Sequence, residues 1–436
     1  MEIIKGLKSS EIGDNMTDAF VSNEALKQYP FYPMMNQVTP NTQNFGLLST
    51  VSQTVTTNTV IKDKIPKNYY LRGIFVQVNA KVNKTQTGTG RTSSYSPFTI
   101  NDTYSAFGLY KLFRYFRITQ KNQEIKRLDF NNIVDIVTNK YDAFTADTIF
   151  NVASDTLEFS ALADGTYDIS GLLYIPFSFS QMAKLAPDTT LLHPLEFELA
   201  TGNNYDASSI YNTIYYESTG NFDTLNVTEM TVTCKYQYSA VDDIFYSQLK
   251  KDLYNGEKSK IFLDYSYISY RTGLINGTAS SQNIEVPLNL GKLVKRYYIR
   301  SLRKDLATNA ICSNTEFTDG SDQLINIKLM SGSKELFNMN KKESTLISIV
   351  LGNSYRTTSI NSIFSGHTID MTNGFMHEKN NDYSSGFPEY YMEDPKLIIT
   401  LNADNGFSHD ILITAEYYEV IDINPKNGVI SIVSDK

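Results

Sequence analysis

Alternation is the feature that most restricts this chain. Met230, Val232, Cys234, Tyr236 and Tyr238 are separated by Thr231, Thr233, Lys235 and Gln237, a period of two that a strand with one buried face requires and a helix cannot satisfy. Ile74, Val76, Val78, Ala80 and Val82 repeat it against Phe75, Gln77, Asn79 and Lys81. So do Leu195, Phe197 and Leu199 against Glu196 and Glu198, then Ile284, Val286, Leu288 and Leu290, Leu397, Ile399 and Leu401, and finally Ile411, Ile413, Ala415 and Tyr417. The 30 tyrosines and 24 phenylalanines, with abundant threonine and asparagine, are the residues of pleated surfaces and turns. An all-β protein follows.

A single core stops growing at roughly 250–300 residues, so the 436 residues predict two domains. A repeat supports this. Arg114-Tyr115-Phe116 against Arg296-Tyr297-Tyr298 gives an offset of 182, and Val232–Tyr236 against Ile413–Tyr417 gives 181. Two segments agreeing on one spacing predict two copies of one fold. In the first copy Leu112, Arg114, Phe116 and Ile118 are expected on one face of a strand, with Phe113, Tyr115 and Arg117 on the other.

The predicted organisation is an extended N-terminal arm over 1–46, a first domain over 47–240, a helical joint over 241–257, a second domain over 258–422 and a C-terminal tail over 423–436. The arm carries little alternation, although Ser22 to Lys27 could open a short helix before Pro30 and Pro33. Val51 to Val60 reads as a threonine-rich strand, and Ile133 to Val137 as a short helix or strand. Ser180 can cap one helical turn through Leu185. Asp242 or Asp243 caps the joint, Phe245, Leu249 and Leu253 form its ridge and Gly256 ends it, which predicts that the two halves keep a fixed mutual angle. Leu324 to Met330 and Thr345 to Leu351 read as strands.

A net charge of −8 argues against a broad nucleic-acid surface, and no sequence-specific nucleic-acid partner is expected. Two cysteines, Cys234 and Cys312, make no disulfide framework and read as buried thiols in a reducing cytoplasm. The first residues lack a signal-peptide pattern and no window reaches ~18 apolar residues, so neither export nor a membrane span is expected. Thr87-Gly88-Thr89-Gly90 is not followed by the Lys-Ser/Thr of a phosphate loop. The four histidines, His193, His367, His377 and His409, have no nucleophile elbow or close ligand spacing. Glu196 and Glu198 share a strand face as glycosidase carboxylates do, but alternate glutamates are also what a solvated strand face shows, and that reading is preferred. No catalytic, cofactor or metal residue is assigned.

The order of these elements resembles the double jelly-roll major capsid proteins, the group of adenovirus hexon and the coat proteins of tailless icosahedral bacteriophages with an internal membrane. The residues that carry the resemblance are Ile65 to Val76 (IPKNYYLRGIFV), Gly108 to Ile118 (GLYKLFRYFRI), Leu173 to Phe177 (LYIPF) and the two closing strands. It covers roughly residues 46 to 422. The resemblance implies two tandem eight-stranded jelly rolls and a non-enzymatic viral structural protein. It further implies a homotrimer forming a pseudo-hexameric capsomer in an icosahedral virion assembled in the host cytoplasm. Implied partners are copies of the chain, penton or minor capsid proteins, and an internal membrane reached by the arm. The alternative is a carbohydrate-binding or adhesive β-sandwich, such as a virion spike or surface lectin.

Overall fold

Strand-forming residues and turn residues alternate along the chain at short intervals, and the backbone follows them. The computed structural model describes residues 45–67, 70–87, 109–110, 112–140, 164–177, 193–202, 222–239, 260–271, 282–303, 324–340, 342–343, 367–371, 387–401, 409–424 and 428–433. The arm as far as residue 44, the helical turn at 180–185, the helical joint, the strand expected at Thr345 to Leu351, Cys312 and His377 lie outside them.

The first half holds β1 (Phe45–Ser49), β2 (Gln53–Val55), β3 (Val60–Lys64), β4 (Tyr70–Thr87), β5 (Phe113–Gln120), β6 (Gln123–Leu128), helix α1 (Phe130–Lys140), β7 (Gly165–Ile175), β8 (Leu195–Thr201) and β9 (Phe222–Ser239). The second holds β10 (Lys260–Arg271), β11 (Gln282–Pro287), β12 (Leu293–Arg303), β13 (Leu324–Ser331), β14 (Lys334–Asn340), β15 (His367–Asp370), β16 (Phe387–Pro388), β17 (Pro395–Leu401), β18 (His409–Asn424) and β19 (Val429–Val433). The stretch after 422, expected to be a tail, therefore continues β18 and then turns back as β19, which pairs with it.

The described residues form four antiparallel sheets. Sheet I runs β1-β9-β4-β7, with β2 also on β9, and sheet II runs β3-β8-β5-β6. Sheet III runs β10-β18-β12-β15, with β16 on β12 and β19 on β18, and sheet IV runs β11-β17-β13-β14. With β1 and β2 taken as one interrupted strand, and β16 and β19 as additions, each half shows the same arrangement. One sheet is first, eighth, third, sixth, and the other is second, seventh, fourth, fifth. This is the jelly-roll order, present twice.

Inward residues of sheets I and II fill one core, in which Phe116 stacks parallel to Phe197 at 6.4 Å and Tyr236 meets Phe197 edge-on at 6.5 Å. A separate cluster around Tyr297, Ile327, Leu329, Ile399 and Ile413 fills the second sandwich. Removing a buried phenylalanine such as Phe116 to alanine costs about 3–5 kcal/mol. The expected strand from Val51 to Val60 is instead two strands. Asn58 takes a left-handed conformation (φ 55°) at the turn between them and passes the chain from sheet I to sheet II.

The repeat is real, but one of its two sequence matches is not. Val232–Tyr236 and Ile413–Tyr417 do lie in corresponding strands, β9 and β18. Arg114–Phe116 lies in the fourth strand of its half, however, and Arg296–Tyr298 in the third of the other. The true partner of β5 is β13, at an offset of 211, and several features recur at that spacing. The pairing with the seventh strand slips between Phe113 and Tyr115 and again between Leu324 and Asn326. The pairing with the fifth strand slips between Ile118 and Thr119 and again between Leu329 and Met330. Arg117 Nη1 meets Glu124 Oε2 at 3.3 Å, and Lys328 Nζ meets Glu335 Oε2 at 3.3 Å. The first slip also explains why Arg114 is exposed and Phe113 buried, the reverse of the simple alternation.

Helix α1 settles the choice left open at Ile133 to Val137. Asn132 N donates to Asp129 Oδ1 at 2.9 Å while Asp129 N donates to Asn132 Oδ1 at 3.1 Å, a reciprocal cap that starts the helix. The same cap stands 211 residues later, where Glu343 N donates to Asn340 Oδ1 at 3.0 Å and Asn340 N donates to Glu343 Oε2 at 2.9 Å.

Candidate functional site

The two halves meet at a seam built from polar groups that have left solvent. Gln120, at the end of β5, reaches the turn before β19 with both ends of its amide. Its Nε2 donates to Gly428 O at 2.9 Å and its Oε1 accepts from Ile430 N at 2.7 Å. His193 N donates to the same Gly428 oxygen at 2.9 Å. Alongside, Lys126 Nζ of β6 and Glu419 Oε2 of β18 lie 2.7 Å apart with side chains 5% and 12% exposed. Ile430 joins the first half's apolar core, and α1 and β6 pack against β10. A buried ion pair and a doubly bonded amide hold only in one geometry. The seam therefore fixes one half against the other.

The outward side of sheet III is buried as well. Tyr298 donates from its hydroxyl to Glu416 Oε2 at 2.5 Å, and Thr414, Leu412 and Arg296 beside them are buried. Burial and the Glu416 charge push the Tyr298 hydroxyl well above its ordinary range, while Arg296 partly opposes them. At the edge of the second core Tyr297 donates to Glu389 Oε1 at 2.6 Å, and Gly291 N donates to Glu389 Oε2 at 3.2 Å. Burial still leaves the Glu389 carboxyl above its ordinary value.

Glu198 corrects the expectation of a solvated strand face. Its side chain is 1% exposed, although it points away from the core of the first sandwich. Lys62, Glu198, Arg117 and Arg127 stand opposite one another across β3, β8, β5 and β6. Arg117 Nη2 lies 2.6 Å from Glu198 Oε1, Tyr115 donates to the same oxygen at 2.7 Å, and Lys62 Nζ is 3.3 Å from Oε2. Arg117 and Arg127 in turn lie 5.1 and 4.5 Å from the Tyr115 ring. Burial pushes the Glu198 carboxyl up, but Tyr115, Arg117 and Lys62 outweigh it and leave it below its ordinary value. Such a group is a poor proton donor, whereas a glycosidase acid is held above its ordinary range. Glu196, the other carboxylate of the expected pair, stands opposite Lys64 and Thr119.

The remaining sequence candidates are scattered. His193 adjoins β8, His367 opens β15 opposite Ile299, and His409 opens β18 opposite Arg303. Cys234 faces the first core, where burial and the charge of Asp63 push its thiol up to about 12. Next to it Tyr236 spans the sandwich, donating to Asp63 Oδ2 at 2.6 Å. Among the described residues no cluster of three or more His, Cys, Asp or Glu could hold a metal, and no helix is long and apolar enough to cross a membrane. An open groove of about 220 Å³ on the outward side of sheet I is lined by Asn79, Lys81, Asp168, Ser170, Glu229 and Thr231, with Lys81 and Glu229 paired at 2.9 Å.

No protein-family model and no curated protein sequence matches the chain. Solved structures do. A chain of the PBCV-1 virus capsid superposes with a TM-score of 0.62 at 11% identity, covering 90% of this chain and 97% of that one. A chain of the Sputnik virophage gives 0.57 at 13%, covering 90% and 89%. The mavirus major capsid protein gives 0.55 at 8%, covering 88% and 90%. The chain has the double jelly-roll fold of these capsid proteins.

Proposed function

We propose that this chain is a major capsid protein. Three copies would bring six jelly rolls into a pseudo-hexameric capsomer, and capsomers would tile the icosahedral shell of a virion. The observation that carries this reading is the pair of like-ordered sandwiches locked by a buried seam, a fold that matches the PBCV-1 capsid chain along nearly its whole length. Gln120, Lys126 and Glu419, buried between the halves, hold them together, and Glu198 is held by three cationic or hydroxyl partners rather than presented to a substrate. In this reading residues 47–240 and the chain from 258 onward are the two building units, joined through 241–257. The arm over 1–46 reaches a neighbour or a surface beneath, and penton or minor capsid proteins complete the shell. Sedimentation velocity tests it. A trimer of the 49.3 kDa chain is expected, and a persistent monomer at high concentration would overturn the reading.

A further inference from the structure

The seam does not use the open groove on the outward side of sheet I. Two rows of side chains build that groove. Asp168, Lys81 and Glu229 stand opposite one another across β7, β4 and β9, and Ser170, Asn79 and Thr231 form the next row. Lys81 Nζ meets Glu229 Oε2 at 2.9 Å, so Asp168, on the other side of Lys81, is left without an ion-pair partner among the described residues. Asn79 Oδ1 accepts from Gln77 Nε2 at 3.4 Å, and the Thr231 hydroxyl donates to Asn79 O at 3.4 Å. The Asn79 amide nitrogen therefore remains a donor in the groove that holds the Asp168 acceptor. The second half shows that the sandwich does not need this face. Val232 corresponds to Ile413, which sets Leu412 in the place of Thr231, and the pairing of β12 with β18 then sets Arg300 in the place of Asn79 and Leu302 in that of Lys81. Leu412 is 3% exposed, whereas Asn79, Lys81, Asp168 and Glu229 all face solvent.

We propose that this groove binds one neutral hexopyranose unit of a glycan. At about 220 Å³ it is smaller than the roughly 300–1,000 Å³ of pockets that enclose drug-sized ligands, and it suits a single sugar ring. The chemistry of the lining fits the ring's edge. Neighbouring sugar hydroxyls donate and accept at once, so the Asp168 carboxylate can take two of their protons while the Asn79 amide nitrogen donates to one of their oxygens. Two carboxylates against one ammonium leave the lining negative, which repels uronic and sialic acids and selects a neutral sugar. The Lys81 ammonium already stands between the carboxylates, where a metal ion would have to sit. No aromatic ring lines the groove, so hydrogen bonds carry the binding and each contact is weak. The site stands apart from the capsid reading. On a shell, many copies would hold a glycan-bearing surface through contacts that are individually weak.

The test uses the full chain, with Asp168→Ala, Asn79→Ala and, as a control, Glu335→Gln, which alters an exposed carboxylate on sheet IV. All three sites face solvent, so circular dichroism and melting temperature should match the parent. Saturation-transfer NMR is run with the methyl glycosides of glucose, galactose and mannose, and with methyl glucuronide as the acidic counterpart. At least one neutral glycoside should receive saturation from the parent, and the glucuronide should receive none. Titration should show the dissociation constant of that glycoside rising at least about tenfold in Asp168→Ala and about fivefold in Asn79→Ala, and unchanged in Glu335→Gln. Silence from all three neutral glycosides, equal transfer to the glucuronide, or binding that survives Asp168→Ala would overturn the sugar site. The capsid reading would stand in each of those cases, because it is judged by the sedimentation of the parent protein.

Discussion

Gln120→Met offers the sharpest probe of the seam, because methionine keeps the volume and unbranched shape of glutamine and removes only its hydrogen bonds. Two bonds to the second half are lost, to Gly428 O and from Ile430 N. The Gly428 oxygen keeps its bond from His193 N, but the buried Ile430 amide is stranded. Two lost bonds at a net ~1 kcal/mol each, plus part of the cost of leaving a buried donor unsatisfied, come to about 3 kcal/mol. Hydrogen exchange followed by mass spectrometry reads this locally. Opening of the β19 turn should become easier by that amount, so exchange at Ile430 should accelerate roughly 100-fold, while amides in the middle of β4 and β9 keep their rates. An Ile430 amide that exchanges at the parent rate would refute the assignment of Gln120 as its partner.

Other consequences follow from the same contacts. Lys126→Met alone takes the buried cation away from Glu419 at the seam and should lower stability by about 3–5 kcal/mol, whereas Lys126→Met with Glu419→Leu should recover most of the loss; urea midpoints of the three proteins check this. The Glu198 carboxyl is held below its ordinary 4.5, so its stabilisation is complete above that pH and lost as the pH falls through the folded-state value. Glu198→Gln should therefore be less stable than the parent at pH 7, and the gap should narrow in acid. Glu389 acts in the opposite sense, because its carboxyl is raised by burial, and it favours folding at low pH and loses that contribution as the pH rises above 4.5. Tyr236→Phe removes the hydroxyl that meets Asp63 across the sandwich and should cost about 1–3 kcal/mol in denaturant unfolding. In a Cys312→Ser background Cys234 should resist a thiol reagent at pH 8 until the protein is denatured, since burial and Asp63 push its thiol up to about 12.

Strands with one buried face were legible because alternation reports the face directly, as from Ile74 to Val82 and from Met230 to Tyr238. Alternation says nothing about what covers the outer face, so Glu198 read as solvated although Tyr115, Arg117 and Lys62 enclose it. The internal repeat was legible in kind and misplaced in register. Arg114 and Arg296 both precede aromatic residues, but the position matching Arg114 is Ile325, and what the two halves share there is slips, turns and charge pairing rather than identities. Ile133 to Val137 satisfied helix and strand patterns alike, and the reciprocal cap at Asp129 and Asn132 decided for helix. The seam was not legible at all. Lys126 and Glu419 stand 293 residues apart, and Gln120 and Gly428 stand 308 apart, so no local pattern links them. For the same reason the residues of β19 read as a tail in the sequence, since five residues become a strand only through β18.

Electron microscopy of the purified protein bears most directly on whether two like sandwiches are locked together in order to build with their copies. Class averages should show a ring of six lobes with threefold symmetry, two lobes from each chain. Isolated two-lobed particles at every concentration would contradict the account.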